Sequence, residues 1–317
     1  MANDNWLLKK IDDVDDKTAE KMLMKLMERR PLDDIARDRD SRTRLVPMSD
    51  FIEEAKLIYA NKGKVQGLST GIRAVDEMTM GMLGGELIVI GGQSSHGKTQ
   101  LSTNIAFHIA QSGKRVTFVT MEMTKPGITN RFMQVARTEN IGHLQIDFQQ
   151  ASSLDHQDIS FIMKKAKERG SEIIIIDHLH YFTRSQDNMS AEIGIIVKNF
   201  SEFAKVHNMP VVLISHTTKL RAKQRPEMQD LRDSSFIAQD ADIVLMVWSD
   251  LDGSPEEVEV LLRKNRNRGL GVRKKYLYRD DGGLLSEDEP IKEREIKPNE
   301  ADISIAGINF NEAAEKD

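Results

Sequence analysis

Residues 87–99 constrain this chain more than any other stretch. Four apolar residues, Leu87-Ile88-Val89-Ile90, run into Gly92-Gln93-Ser94-Ser95-His96-Gly97-Lys98-Thr99, an ungapped G-x-x-x-x-G-K-[ST] motif, and a helical pattern follows. A buried strand feeding a glycine-rich turn that opens a helix gathers backbone N–H groups at a helix N-terminus, where phosphate oxygens bind. Lys98 adds a mobile positive charge, and Thr99 a hydroxyl suited to Mg²⁺. Residues 92–100, including Gln100 in the first helical turn, are therefore the candidate cradle for a nucleoside triphosphate.

The flanking sequence sets the fold class. Runs of apolar, mostly β-branched residues at Glu86–Gly91, Arg115–Met121, Glu172–Asp177, Val211–Ser215 and Ile243–Trp248 alternate with helical patterns at Thr99–Ser112, Lys125–Val135, Ile159–Arg169, Ala191–His207 and Met228–Gln239. Such alternation predicts an α/β fold, a mostly parallel twisted sheet with helices on both faces. Two later runs, Glu257–Arg263 and Val272–Tyr278, are joined by a Gly-containing turn and predict an antiparallel extension.

A length of 317 residues corresponds to about two domains at ~150 residues each. The expected organisation is a short helical N-terminal segment (1–48), a linker helix and tether (49–66), a core domain (67–289) and an acidic tail (290–317). The first segment carries one amphipathic stretch, Lys17–Arg30, and the second an apolar helical pattern at Ser49–Ala60 that ends at Asn61-Lys62-Gly63-Lys64. No apolar run is long enough to cross a bilayer. There is no cysteine, which excludes disulfides, thiolate zinc sites and thiol nucleophiles and suits a reducing compartment. With no secretory leader visible at Met1–Asn5, the expected location is the cytoplasm.

Charge is uneven. The formal net charge is −5, yet Arg263–Arg279 holds eight basic residues and no acid. Lys219, Arg221, Lys223 and Arg225 follow the strand that ends at His216. Local positive charge of this kind, set in a chain with an overall negative balance, predicts a confined polyanion-binding surface.

Three strand ends complete the chemistry. Asp177 closes Ile173-Ile174-Ile175-Ile176 and is the expected metal ligand beside Thr99. The next residue is His178, not an acid, so the base that orients the attacking water is sought elsewhere; Glu122, after Val116–Met121, is the candidate. His216 is placed to hydrogen-bond a γ-phosphate and to pass its loss to the basic loop that follows.

Taken with Gly67-Leu68-Ser69-Thr70-Gly71, Asp76, Gly81, Gly85-Glu86-Leu87, Met121-Glu122-Met123, Asp230-Leu231-Arg232-Asp233-Ser234 and Gln239-Asp240-Ala241-Asp242, these motifs resemble the RecA-like motor domain of DnaB-type replicative helicases over about 67–285. The resemblance implies ATP and Mg²⁺ as cofactors, with Glu122 as catalytic base. It implies that Lys264 and Arg266 of the Lys-x-Arg pattern reach into a neighbouring subunit's site, Arg266 as arginine finger. It also implies that the 219–225 loop, and less directly Thr183–Ser190, touch single-stranded DNA.

The implied activity is a ring-forming, ATP-dependent 5′→3′ replicative DNA helicase. Its partners would be single-stranded DNA and further copies of the chain in a hexameric ring, with primase, helicase loader, polymerase or single-strand-binding protein as additional contacts. The helix at 49–60 sits where that family docks a linker on the next subunit. Residues 1–48 match neither the large helical scaffold of bacterial relatives nor a primase domain, which suggests a phage-like variant. Ser215-His216 looks closer to phage primase-helicase and mitochondrial helicase motors than to bacterial relatives, which tend to carry Gln there. The rivals are a recombinase or KaiC-like ATPase on the same core, and an assembly factor that binds ATP without hydrolysing it.

Overall fold

A computed structural model of the chain describes residues 47–52, 67–150, 156–178, 189–221, 223–232, 234–267 and 274–287, with single positions at 45, 56 and 65. The chain separates into two units, 1–60 and 61–317. In the first, Met48–Phe51 forms a 3-10 turn and Ile52 and Lys56 are helical. The amphipathic stretch at Lys17–Arg30, most of the expected linker helix and the acidic tail lie outside the described residues.

The second unit is built on one nine-stranded sheet. Its strands are β1 (Leu87–Gly92), β2 (Val116–Thr120), β3 (Ile146–Gln150), β4 (Ile173–Asp177), β5 (Val211–His216), β6 (Ile243–Asp250), β7 (Ser254–Asn265), β8 (Lys274–Arg279) and β9 (Leu285–Ser286), in the order β3-β2-β4-β5-β1-β6-β7-β8-β9. The first six strands pair in parallel, and β7, β8 and β9 extend the sheet antiparallel.

The helices are α1 (Arg73–Thr79), α2 (Lys98–Gln111), α3 (Lys125–Ala136), α4 (His156–Glu168), α5 (Met189–His207) and α6 (Ser234–Asp240). Alternation along the strands decides which layer each contacts. Ile88 and Ile90 of β1 pack with Leu101, Ile105 and Ile109 of α2 and with Ile128 and Phe132 of α3. Leu87 and Val89 face the other way, with Ile159 and Met163 of α4 and Ile193, Val197 and Phe200 of α5. A strand apolar on both faces must be covered on both, so the sheet is sandwiched. Each fully buried Ile, Val or Leu stabilises the fold by roughly 1.5–3 kcal/mol.

Three features depart from the sequence pattern, one of them the short helix α1, which lies outside the expected helical stretches. Met228–Gln239 is not one helix: Met228–Asp230 is a 3-10 turn, Leu231 leaves it extended, and α6 starts at Ser234. Glu227 and Asp230 cap that turn reciprocally, and Thr217 bridges Leu231, so local hydrogen bonds win over helical periodicity. The sheet also gains an edge strand, β3, which the sequence pattern left in a connection. No helix among the described residues is long and apolar enough to cross a membrane.

Candidate nucleotide site

In a parallel sheet, ligands collect where the strands deliver their C-terminal ends. Register brings the expected residues together there. Gly92, the last residue of β1, pairs with His216, the last of β5, and Thr120 of β2 pairs with Asp177 of β4. A cleft of about 520 Å³ opens over this edge, lined among others by Ser94, Ser95, Lys98, Thr99, Glu122 and His216.

The 92–99 loop has the curl its glycines predict. A Cβ at Gly92 would approach the Val247 carbonyl oxygen to 2.6 Å, so only glycine lets β1 run this close to β6. Gly97, the residue before α2, has φ +101°, a left-handed conformation that costs glycine little. Lys98 is 5% exposed and donates to the Gln93 carbonyl at 2.7 Å. Burial pulls its pKa down to about 8, against the opposing pull of Asp177 and Glu122. A desolvated ammonium resting on a carbonyl is poised for an anion.

Thr99 Oγ1 donates to Asp177 Oδ2 at 2.9 Å. Asp177 is 1% exposed, and its other oxygen, Oδ1, is buried without a hydrogen-bond partner. Burial, with a smaller push from Glu122, raises the pKa of this carboxyl to about 6 despite the Thr99 bond. A buried carboxylate oxygen with no donor, beside a hydroxyl, is a hard-oxygen pair that fits Mg²⁺.

Glu122 is half exposed, just beyond β2, with Oε2 3.8 Å from His178 Nδ1. The turn that carries it is closed by Met123 N–H donating to Thr120 Oγ1. His178 in turn meets the His216 ring edge-to-face, at 4.2 Å between centroids.

Other expected residues take different places. His96 does not line the cleft. It is buried and accepts from the Ser249 N–H through Nδ1 at 3.0 Å, so it anchors the loop to β6. Burial and the nearby Lys98 lower its pKa, and both favour the neutral ring that this acceptor role needs. Gln100 stays in the cleft wall, as expected, and also donates to the Gly283 carbonyl, fixing α2 to the turn before β9.

Arg225, expected on DNA, is engaged within the protein. Its guanidinium lies 3.9 Å over the Trp248 ring and pairs with buried Glu259 at 2.6 Å. Lys219, Arg221 and Lys223 of the same loop are exposed, Lys223 lying 3.5 Å from Asp250.

Lys264 and Arg266 are at the opposite edge of the sheet. Arg266 donates to Asp242 Oδ1 at 2.9 Å and to the Gln239 carbonyl. Asp242 Oδ2 accepts from the N–H of Leu87, the first residue of β1. Lys264 is partly buried, and desolvation, aided by Arg266, lowers its pKa.

Two arginines that the sequence did not mark as nucleotide-site residues, one of them the end of the basic run, also belong to the cleft. Arg131 of α3 and Arg279, the last residue of β8, both line the cleft, and Arg131 is close enough to act on the Asp177 charge. Neither belongs to a contiguous motif; only the packing of α3 and β8 beside the loop reveals them.

The family profile described as the DnaB-like helicase C terminal domain matches residues 67–139 and 134–279. The chain belongs to that family. Replicative DNA helicase DnaC of Bacillus subtilis (strain 168) is 29% identical over 299 residues, covering 82% of this chain and 64% of that one. The chain spans less than two thirds of the length of the curated relatives it matches. Among solved structures, an isolated ATPase domain superposes with a TM-score of 0.69 at 21% identity, covering 78% of this chain and all of that one. A DnaB-like replicative helicase, solved in a study of its interactions with primase, gives 0.67 at 20% identity over 90% and 75% of the two chains. The RecA-like core expected for a DnaB-like chain is thus the fold observed.

Proposed function

We propose that this chain is an ATP-driven, ring-forming DNA helicase motor that moves 5′→3′ on single-stranded DNA at a replication fork in the cytoplasm. One observation carries the reading: Lys98, Thr99, Asp177, Glu122 and His216 converge on one cleft while Arg266 lies at the far edge of the same sheet.

Within the cleft, the 92–99 backbone and Lys98 bind and orient the β- and γ-phosphates. Thr99 and Asp177 would hold Mg²⁺, which neutralises charge on the phosphate oxygens. Glu122 accepts a proton from the water that attacks the γ-phosphorus in line.

Arg266 cannot serve its own site. The strand β1 separates it from the loop by five residue steps, roughly 16 Å at ~3.3 Å per residue, well beyond a side chain's reach. It is suited to a second copy's γ-phosphate, where a guanidinium stabilises developing charge. The 49–66 linker docking on that copy belongs to the same reading. His216 carries the state of the γ-phosphate into the loop with Lys219, Arg221 and Lys223, which grip DNA phosphates. A single-strand channel with no aromatic residue in this loop tracks backbone and has little sequence preference. A primase contact, as studied for the DnaB-like helicase above, extends the reading to the fork.

The test is steady-state ATPase of the full chain with and without single-stranded oligonucleotide, together with negative-stain imaging. Stimulation by DNA, six-fold particles and loss of turnover in Glu122→Gln support the motor. ATP binding without turnover would identify an assembly factor instead.

A further inference from the structure

The sheet order places β4 between β2 and β5. Whatever residue follows β4 therefore stands between the ends of its neighbours, which carry Glu122 and His216. That residue is His178. It is 6% exposed, its Nδ1 lies 3.8 Å from Glu122 Oε2, and its ring packs perpendicular to His216, 83° between planes. One potential ligand atom from each of the three residues falls within 4.8 Å of the other two. The arrangement is a continuous row: an exposed carboxylate, a buried imidazole and a half-buried imidazole that opens the 216–225 loop.

We propose that His178 is a positioning residue that couples Glu122 to His216, so that the grip of the loop on DNA sets the orientation of the base. The inference rests on the roles assigned above to Glu122 and His216. Glu122 is 46% exposed in its side chain, and a carboxylate with that latitude holds a water poorly, whereas proximity effects need the base fixed to within a fraction of an ångström. His178 is packed, so it has a defined place. His216 cannot shift its ring without displacing an edge-to-face neighbour at 4.2 Å, and His178 cannot shift without changing its approach to Glu122. Two contacts in series link two strand ends that are not themselves adjacent, and a buried side chain transmits displacement because packed interiors do not yield continuously.

The experiment uses the full chain and measures ATPase with and without oligo-dT, with oligonucleotide affinity by anisotropy and melting temperature as controls. In His178→Ala, DNA stimulation should drop by about three- to thirty-fold, the range for a single coupling residue, while the KM for ATP and the DNA affinity hold. His178→Gln, which keeps a polar group of similar reach, should recover most of the stimulation. In a double-mutant cycle, His178→Ala combined with His216→Ala should be no worse than the more affected single variant. Undiminished stimulation in His178→Ala overturns the proposal. So does equal loss in Ala and Gln variants, or a loss explained wholly by raised KM or weakened DNA binding. Should His178→Ala fail to fold, His178→Leu, which keeps the site filled, takes its place in the cycle, and additivity there overturns the proposal. A wild-type chain without DNA-stimulated turnover would instead sink the motor reading itself.

Discussion

Arg266 is held by Asp242, a carboxylate whose second oxygen caps the first strand of the sheet. The guanidinium is therefore preorganised at the edge of the sheet opposite the cleft, with 40% of its side chain exposed. The role proposed for this arginine therefore requires a second copy to bring its phosphates to it.

Arg266→Ala subunits mixed with wild type should lower ATPase more steeply than their mole fraction, because each defect acts on a neighbour's site. Asp242→Asn should give a milder form of the same poisoning by loosening the arginine. The measurement is turnover across a titration of mixing ratios, and strict proportionality would show that copies work independently.

Glu122→Gln should retain nucleotide binding and lose turnover by about 100-fold or more, the contribution of a positioned general base. Lys98→Ala should lose binding as well. Fluorescent-nucleotide titration beside phosphate release distinguishes the two, and equal loss of affinity in both variants would deny Glu122 its chemical role.

The buried carboxyl of Asp177 makes a prediction about pH. Its pKa is about 6 in the fold against 3.8 for the free side chain. The native state thus binds the extra proton between those values, and this group makes stability fall as pH rises through that window. Without nucleotide and metal, Asp177→Asn should be more stable than wild type at pH 7.5, by up to about 3 kcal/mol, with the gain about halved by pH 5. Thermal melts at the two pH values check this; the variant should at the same time lose Mg²⁺-dependent turnover. A destabilised variant at pH 7.5 would contradict the cost assigned to this buried charge.

Neutralising Lys219, Arg221 and Lys223 should flatten the salt dependence of DNA binding, by somewhat less than one unit of slope for each phosphate no longer neutralised. Arg225→Ala should act differently, lowering stability by about 2 kcal/mol because Glu259 is left buried without its cation and Trp248 loses its stacked partner. Salt titrations of binding and chemical denaturation separate the two effects; an Arg225→Ala chain with unchanged stability and a flattened salt slope would return Arg225 to the DNA surface.

The expected parallel sheet and the 92–99 cradle were legible because each depends on contiguous residues. A buried strand, a glycine-rich turn and a helix start adjoin in the chain, and apolar runs such as Ile173–Ile176 have no stable alternative to a covered strand. Asp177, Glu122 and His216 could be named as strand ends for the same reason. What the chain did not disclose is set by packing between distant segments. Arg225 reads as one more cation in a basic run until Trp248 and Glu259, from two other strands, are seen beneath it. His96 sits inside the motif, but its partner is 153 residues away. The strand β3 is polar at three of its five positions and at the sheet edge, so its apolar signal is too weak to mark it. His178 was passed over as a missing acid, and only the order of the strands gives it neighbours.

His96 does more than hold its own loop. It pins the triphosphate cradle to β6, and β6 pairs along its length with β7, whose far end presents Lys264 and Arg266. The triphosphate cradle and the proposed arginine finger are thus mounted at opposite tips of one antiparallel ribbon. In the ring proposed above, this ribbon would be the shortest hydrogen-bonded path from one copy's cradle to the contact it makes with the next.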